Sequence, residues 1–336
     1  MEGSLSSASS PPAPGTGLVA ALVRLASRHV PGTELGALRE ALRRRYGPAL
    51  RGILFYGSCL RSGNALDGLV DLYVVVDRYR SAYRDPLTAL ANALLPPNVF
   101  YLEVPVPAGR VRCKYAVFSM RHLLRGTSAR WFQSYLWGRL AQPTAILYAA
   151  DERVRGELLQ ALGQAVVTLL WRALPALPER FTEADLWERA LALSYATELR
   201  AEKSQRSALI VESDPEYYRE VTAPALGVLA WPVRSVAGEG GSMGEASIPL
   251  HEASIPPRTR RRSRLAWSAR RVQGKTLSAL RLAKSAFTFQ GGVDYLLWKL
   301  ERHSGVRVEA SERERRHPLI YGWGLAWRLY RRGAFR

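Results

Sequence analysis

A Gly-Ser pair at the end of one apolar run, and an aspartate inside the next, have the types and spacing needed to act on phosphates. The pair stands in Phe55-Tyr56-Gly57-Ser58, and Asp71 lies in the apolar run over residues 69–76. Glycine lets the backbone approach a triphosphate, whose oxygens accept hydrogen bonds from backbone N–H groups and a serine hydroxyl. A carboxylate on the adjacent strand can hold Mg²⁺ against those phosphates. We predict nucleotide binding by Gly57 and Ser58, and metal binding and catalysis by Asp71; an ordinary turn and a salt-bridged aspartate are the alternatives.

Two further acids are candidate ligands for the same metal. Asp67 precedes Asp71 by four residues, and Glu103 lies in a later apolar run. Mg²⁺ prefers oxygen ligands such as carboxylates, so both residues are predicted metal ligands. For each of them, a surface acid without a ligand is the alternative.

Three cations are candidates for neutralising phosphate charge. Lys114 lies in a mostly apolar run, where lysine is unusual without a partner, and we predict it to be catalytic and nucleotide-binding. Arg139 can clamp a phosphate through two parallel hydrogen bonds, which predicts a catalytic role. Arg200 stands with Lys203 and Arg206 at a spacing of three, which predicts a basic, nucleotide-binding helix face. The alternatives are a solvent-facing lysine, a surface salt bridge and a solvated helix face.

Apolar periodicity predicts the elements that position these residues. It predicts helices over residues 18–28, 34–45 and 85–95, and strands over residues 52–56, 69–76, 99–106 and 111–119. The last two strands form a hairpin across Pro107-Ala108-Gly109. From residue 122 to residue 226, apolar residues recur at intervals of three and four, which predicts a mostly helical region. The plan is an α/β arrangement with a mixed sheet.

Length and charge limit the class of protein. The 336 residues suffice for two compact domains and a tail, and the net charge of +19 indicates an anionic partner. The two cysteines, Cys59 and Cys113, lack metal-site spacing and are expected to be buried thiols. No apolar run approaches the roughly 18–20 residues that cross a bilayer.

The Gly57-Ser58 pair followed by Asp71 resembles the nucleotidyltransferase superfamily, in which a Gly-Ser pair precedes Asp-x-Asp on the next strand. Here Leu69 and Tyr73 stand two residues before and after Asp71, so the carboxylate pair is incomplete. The resemblance implies an α+β fold with a nucleotidyltransferase-like mixed sheet and flanking helices. A mostly helical second domain and a basic C-terminal helical tail follow.

A closer resemblance is to the mitochondrial-type phosphatidate cytidylyltransferases, the soluble-fold CDP-diacylglycerol synthases. Similar motifs occur in the same order over residues 50–300. They are Tyr56-Gly57-Ser58, Val70-Asp71-Leu72, Lys114-Tyr115-Ala116, Gly138-Arg139-Leu140, Glu198-Leu199-Arg200, Lys284-Ser285-Ala286 and Tyr295-Leu296-Leu297-Trp298. The chain departs from the family's pattern at Cys59, Ala116 and Gln142, where the family has Gly, Gly and Lys.

The resemblance implies an Mg²⁺-dependent enzyme that makes CDP-diacylglycerol and pyrophosphate from CTP and phosphatidic acid, as a step of phospholipid biosynthesis. One alternative is a nucleotidyltransferase with another acceptor, namely a protein, an RNA end or a small phosphorylated molecule. A second alternative is a non-catalytic protein that binds nucleic acid or membranes, because the second aspartate is missing at Leu69.

Changes in composition predict the domain boundaries. We expect a disordered N-terminus over residues 1–17, a nucleotidyltransferase-like domain over residues 18–121, a mostly helical domain over residues 122–236, a linker over residues 237–257 and a tail over residues 258–336. Between Arg258 and Lys284 there are ten Lys or Arg residues and no acid. Tryptophan and tyrosine accompany them, as in helices that lie among lipid headgroups. The tail is predicted to associate with an anionic membrane surface, with nucleic acid as the less favoured partner and docking on the protein's own core as the structural alternative.

The sequence also predicts a location. Residues 1–17 lack the Arg-rich start of a transit peptide and the apolar core of a signal peptide. The use of Arg and Ala in place of Lys favours a GC-rich, bacterial source. We expect a cytoplasmic, bacterial protein, peripheral on the inner face of the cell membrane.

Overall fold

The fold is known from a computed structural model. It describes residues 11–28, 32–66, 68–199, 205–236, 250–288, 292–304 and 308–316, together with Gly324, Trp327, Arg328 and Arg331. Two of the predicted site residues, Asp67 and Arg200, lie outside the described residues.

A five-stranded mixed sheet lies at the centre of the fold, as predicted. Its strands are β1 (Leu50–Tyr56), β2 (Val70–Val76), β3 (Asn98–Val106), β4 (Gly109–Ser119) and β5 (Thr144–Ala149). The strand order is β3-β4-β2-β1-β5, with β2 and β4 parallel and the other neighbours antiparallel. The strands predicted over residues 52–56, 69–76, 99–106 and 111–119 are confirmed. Strand β5 was not predicted, because it lies in the region expected to be helical.

Five helices from the N-terminal part of the chain flank the sheet. They are α1 (Thr16–Arg28), α2 (Thr33–Tyr46), α3 (Ser58–Ser62), α4 (Tyr79–Ala82) and α5 (Pro86–Leu94). The helices predicted over residues 18–28, 34–45 and 85–95 are confirmed. Within the segment predicted to be disordered, the carbonyl of Pro12 accepts a hydrogen bond of 3.2 Å from Gln164 Nε2.

The region after residue 119 is mostly helical, as predicted. Its helices are α6 (Met120–Thr127), α7 (Tyr135–Leu140), α8 (Glu152–Ala173), α9 (Glu183–Tyr195), α10 (Gln205–Glu212) and α11 (Pro215–Val228). A small sheet accompanies them, made of β6 (Arg180–Thr182), β7 (Val233–Val236) and β8 (Leu250–Ala253) in the order β6-β8-β7. Strand β8 lies within the segment predicted as a linker. The division into domains stays a prediction.

The basic C-terminal segment forms the helices α12 (Pro257–Thr288), α13 (Gly292–Ser304) and α14 (Glu312–Arg316). Helix α12 docks on the protein body. Trp267, only 1% exposed, packs edge-on against Trp137 with ring centroids 5.7 Å apart. The indole of Trp267 therefore fills the core, and the association of the tail with a membrane surface stays a prediction. Within the described ranges, no helix combines the length and the apolar character that a membrane span requires.

The two faces of the main sheet bury separate apolar clusters. Leu54, Tyr73 and Phe118 pack in a cluster with α1 and the helices of the region after residue 119. Ile53 and Tyr115 pack in a second cluster, which includes residues of α2. Both cysteines are buried thiols, as predicted. Because side chains alternate along a strand, Asp71 and Lys114 share the face of Tyr73.

Candidate active site

Four side chains form a row across one end of the main sheet. Tyr56 is in register with Asp71, Asp71 with Lys114, and Lys114 with Tyr101. Residues in register on adjacent strands present their side chains to the same face at short range. The sheet therefore brings Asp71 and Lys114, which are far apart in the sequence, into one site.

Asp71 and Lys114 form an ion pair. Lys114 Nζ lies 3.2 Å from Asp71 Oδ1, and the two side chains are 39% and 23% exposed, respectively. Burial lowers the pKa of Lys114, but the charge and hydrogen bond of Asp71 outweigh burial, and the pKa lies above its ordinary value. Lys114 is therefore an ammonium at neutral pH, within reach of solvent and next to a carboxylate.

Gly57 places a tight turn against this ion pair. Its φ of 90° and ψ of −163° lie in a region that favours glycine, and Ser58, which is exposed, begins α3 directly after it. A Cβ at residue 57 would lie 2.8 Å from Asp71 Oδ2. Only glycine therefore allows the Asp71 carboxylate to lie so close to the backbone of the turn.

Two stacked tyrosines extend the site toward α7, and sequence reasoning missed them. The rings of Tyr56 and Tyr73 lie 4.4 Å apart with an interplanar angle of 8°. Burial raises the pKa of Tyr56 well above its ordinary value, and the Asp71 carboxylate adds to that effect. Both tyrosines are therefore neutral at physiological pH. Their positions beside Gly57 and Asp71 in the two predicted strands were the available signal.

Arg139, a predicted catalytic residue, forms an ion pair with a carboxylate. Its Nε and Nη2 donate to Glu198 at 2.6–3.0 Å, and its guanidinium lies 5.1 Å from the ring centroid of Tyr195. Burial lowers the pKa of Arg139, but Glu198 outweighs burial and raises it well above its ordinary value. The Nε and Nη2 edge of Arg139 contacts a phosphate only if Glu198 gives up these bonds, and the catalytic role of Arg139 stays a prediction.

The carboxylate of Glu103, a predicted metal ligand, is also occupied by hydrogen bonds from other side chains. It accepts hydrogen bonds from Arg110 at 2.7 Å, Arg112 at 3.1 Å and Tyr101 at 2.9 Å. Burial raises the pKa of Glu103, but these partners outweigh it and hold the pKa below its usual range. In the part of the chain that the structure describes, no three His, Cys, Asp or Glu side chains are grouped as metal ligands. Asp71 is thus the predicted ligand whose carboxylate lies at the Gly57 turn.

A cavity adjoins this row of side chains. Its volume is about 550 Å³, and Tyr101, Arg112 and Trp298 are among the residues that line it. Helix α13 forms one wall, where Tyr295 packs against Tyr101 with ring centroids 5.9 Å apart. This volume is within the roughly 300–1,000 Å³ of small-molecule sites.

In this five-stranded mixed sheet, a Gly-Ser turn lies against a strand aspartate, which is the arrangement expected of a nucleotidyltransferase-like fold. A model of the family described as "Phosphatidate cytidylyltransferase, mitochondrial" matches residues 84–237. Curated relatives with that name come from Xenopus laevis, Drosophila melanogaster and Danio rerio. They are 31% identical over 129 residues, 32% over 130 and 30% over 125. Over these residues the chain is similar to this family.

The matches cover part of each protein. The chain spans 36–37% of the length of these relatives, and the aligned parts are 36–38% of this chain. The segment matched by the family model includes Lys114 and Arg139, and it begins after Gly57, Ser58 and Asp71.

These relatives also correct the predicted location. The expectation of a cytoplasmic, bacterial protein on the inner face of the cell membrane is wrong, because the relatives are mitochondrial proteins of eukaryotes. The expectation rested on amino-acid usage and on the composition of residues 1–17.

Proposed function

We propose that the protein is a CTP:phosphatidate cytidylyltransferase. The phosphate of phosphatidic acid attacks the α-phosphate of CTP, the bond to the β-phosphate breaks, and CDP-diacylglycerol and pyrophosphate form. The observation that carries this proposal is the Asp71–Lys114 ion pair against the Gly57 turn, in a chain whose relatives are named phosphatidate cytidylyltransferases. Those names favour a lipid acceptor over a protein or RNA acceptor, and favour catalysis over nucleic-acid binding alone.

The chain's own residues bind the triphosphate and neutralise its negative charge. The Gly57-Ser58 turn offers backbone N–H groups and an exposed hydroxyl to the triphosphate. Lys114 neutralises charge on the phosphates as a point charge, and Asp71 holds that ammonium beside the turn. The cavity beside Tyr101 has room for the nucleoside. Phosphoryl transfer needs little beyond positioning and charge neutralisation, which these groups provide.

The donor set fits Mg²⁺. Mg²⁺ keeps several waters and is usually held by one or two carboxylates together with substrate phosphates, not by a cage of protein ligands. Asp71 supplies one half-buried carboxylate at the turn that would face the triphosphate. When bound, Mg²⁺ would neutralise charge on the phosphates. Asp67 stays a proposed second ligand.

The outer face of α12 suits an anionic membrane surface. Its exposed residues combine cations with large apolar side chains; among them are Arg258, Arg264, Arg271, Lys275, Leu265, Val272, Leu280 and Leu282. Each nearby cation contributes about 1 kcal/mol on anionic lipid. This face would hold the protein where its lipid substrate lies, although Trp267 anchors the other side of α12 in the core.

The experiment is pyrophosphate release from CTP with Mg²⁺, measured with vesicles that contain phosphatidic acid and with vesicles of phosphatidylcholine alone. We expect pyrophosphate release only with phosphatidic acid, and CDP-diacylglycerol in equal amount. Release without dependence on phosphatidic acid would overturn the lipid acceptor and favour a different one. No release under either condition would overturn the proposed activity.

A further inference from the structure

A second cavity lies away from the row of Asp71 and Lys114, between the end of α8, the segment after α11 and the first half of α12. Its volume is about 250 Å³. Arginines and tryptophans dominate its lining, namely Arg172, Arg262, Arg270, Trp171 and Trp231. Thr259 and Ser263 add two hydroxyl groups, and no acidic residue lines the cavity. It shares no lining residue with the cavity beside Tyr101.

Three buried donors in this lining have no acceptor. Trp171 Nε1, Trp231 Nε1 and Arg172 Nε are buried and make no hydrogen bond with any residue that the structure describes. Leaving a buried donor unsatisfied destabilises a fold by about 1–3 kcal/mol, and most such groups in proteins have a partner. All three belong to side chains that line this cavity, so its described wall is rich in hydrogen-bond donors.

The positive charge here has no carboxylate partner among the described residues. Arg172 Nη2 donates to the carbonyl of Ala129 at 2.8 Å, and Arg270 Nε donates to the carbonyl of Phe132 at 2.9 Å. Both acceptors are neutral, and neither arginine has a carboxylate partner within the described ranges. Burial lowers the pKa of Arg172 to about 10, and burial together with the Arg172 charge lowers the pKa of Arg270 to about 9. A guanidinium stays protonated at neutral pH, so the two charges are partnered by carbonyls and by the rings of Trp171, Phe132 and Trp267, and by no carboxylate among the described residues.

We infer that this cavity binds a phosphate-bearing anion. Guanidinium groups and indole N–H groups are donors only, which suits an oxygen-rich anion that accepts several hydrogen bonds. The volume is below the roughly 300–1,000 Å³ of small-molecule sites, which favours a phosphate or a phosphate headgroup over a nucleotide. Arg262 is exposed, so the cavity is open to solvent at that residue. The inference goes beyond the proposed function, and either can fail without the other.

Adjacent arginines on α12 provide a matched pair of variants. Arg261 and Arg262 are both exposed, but only Arg262 lines the cavity. Arg261→Gln and Arg262→Gln remove the same charge from the same turn of helix, and neither removes a buried side chain. Binding of inorganic phosphate to the full chain is measured by calorimetry and by the shift in Tm. A parallel set measures co-sedimentation with vesicles that contain phosphatidic acid.

We expect phosphate to raise the Tm of the wild-type protein and of Arg261→Gln, and Arg262→Gln to weaken phosphate binding by about tenfold, the loss of one charge-assisted contact. The effect should persist in a Lys114→Gln background, which separates this site from the nucleotide site. If only vesicle binding depends on Arg262, the anion is a lipid headgroup and the inference holds. Equal behaviour of the two variants toward both phosphate and vesicles would overturn it.

Discussion

Replacing Gly57 by alanine tests how closely the turn lies against Asp71. Gly57 has φ 90° and ψ −163°, a conformation that costs a residue with a Cβ about 1–3 kcal/mol. The new Cβ would lie 2.8 Å from Asp71 Oδ2, closer than such atoms approach, and 3.2 Å from Asp71 Cβ, which is tighter than most such contacts. The free energy of unfolding should therefore fall by about 1–3 kcal/mol. The contact should also displace the carboxylate from Lys114 and lower kcat/KM at least about tenfold, which equals 1.4 kcal/mol in the barrier.

Gly63→Ala is the control for backbone strain. Gly63 ends the same helix α3 with a φ of 68°, and a Cβ there meets nothing within 4 Å. This variant should lose about 1–2 kcal/mol of stability and keep its rate. Urea unfolding gives the stability, and pyrophosphate release from CTP with phosphatidic acid gives the rate. Wild-type stability and activity in Gly57→Ala would refute the close approach, whereas equal rate losses in both variants would attribute the effect to strain alone.

Three further predictions concern the parts around the site. Trp267→Ala should destabilise the protein by about 3–5 kcal/mol, measured by thermal or urea unfolding. Leu265→Ala, at a 65% exposed residue of the same helix, should change the free energy of unfolding by less than about 0.5 kcal/mol. Similar losses of stability in the two variants would contradict the docking of α12. The pKa of Glu103 is lowered on folding, so its contribution is complete above its unfolded value of about 4.3 and is lost as the pH falls through the folded value. Glu103→Gln should therefore reduce the loss of stability between neutral and acidic pH, and an unchanged pH profile would refute this role. Glu198→Gln and Arg139→Met should show a coupling of about 0.5–3 kcal/mol in a double-mutant cycle, whereas simple additivity would contradict the bidentate pair.

The sequence predicts most of the main sheet, because its strands are short apolar runs bounded by glycine, proline and polar residues. Strand β5 was missed since six residues between two helices are too few for apolar periodicity to separate a strand from a helix. Docking of α12 on the core was only the alternative to a membrane surface, because aromatic and basic residues in one helix suit a headgroup layer as well as a docked helix. The pattern does not specify which face of α12 meets the core.

At the site, the sequence predicts residue types more readily than pairings. Asp71 and Lys114 were both singled out, but their contact depends on the parallel register of β2 and β4, which single-strand patterns do not specify. The partners of Arg139 and Glu103 were missed for the same reason, since Glu198 and Arg112 are ordinary charged residues until the fold places them. The sequence also does not predict the second cavity, because Trp171, Trp231 and Arg270 are far apart in the chain.

The rate of the Asp71→Asn variant tests the central claim most directly. Asparagine keeps the size of the side chain and removes the charge that pairs with Lys114 and is proposed to hold Mg²⁺. Because both partners are partly exposed, the free energy of unfolding should change by less than about 1 kcal/mol. CDP-diacylglycerol formation from CTP and phosphatidic acid should fall at least about 100-fold while the protein stays folded. A folded Asp71→Asn protein that makes CDP-diacylglycerol at the wild-type rate would contradict the account.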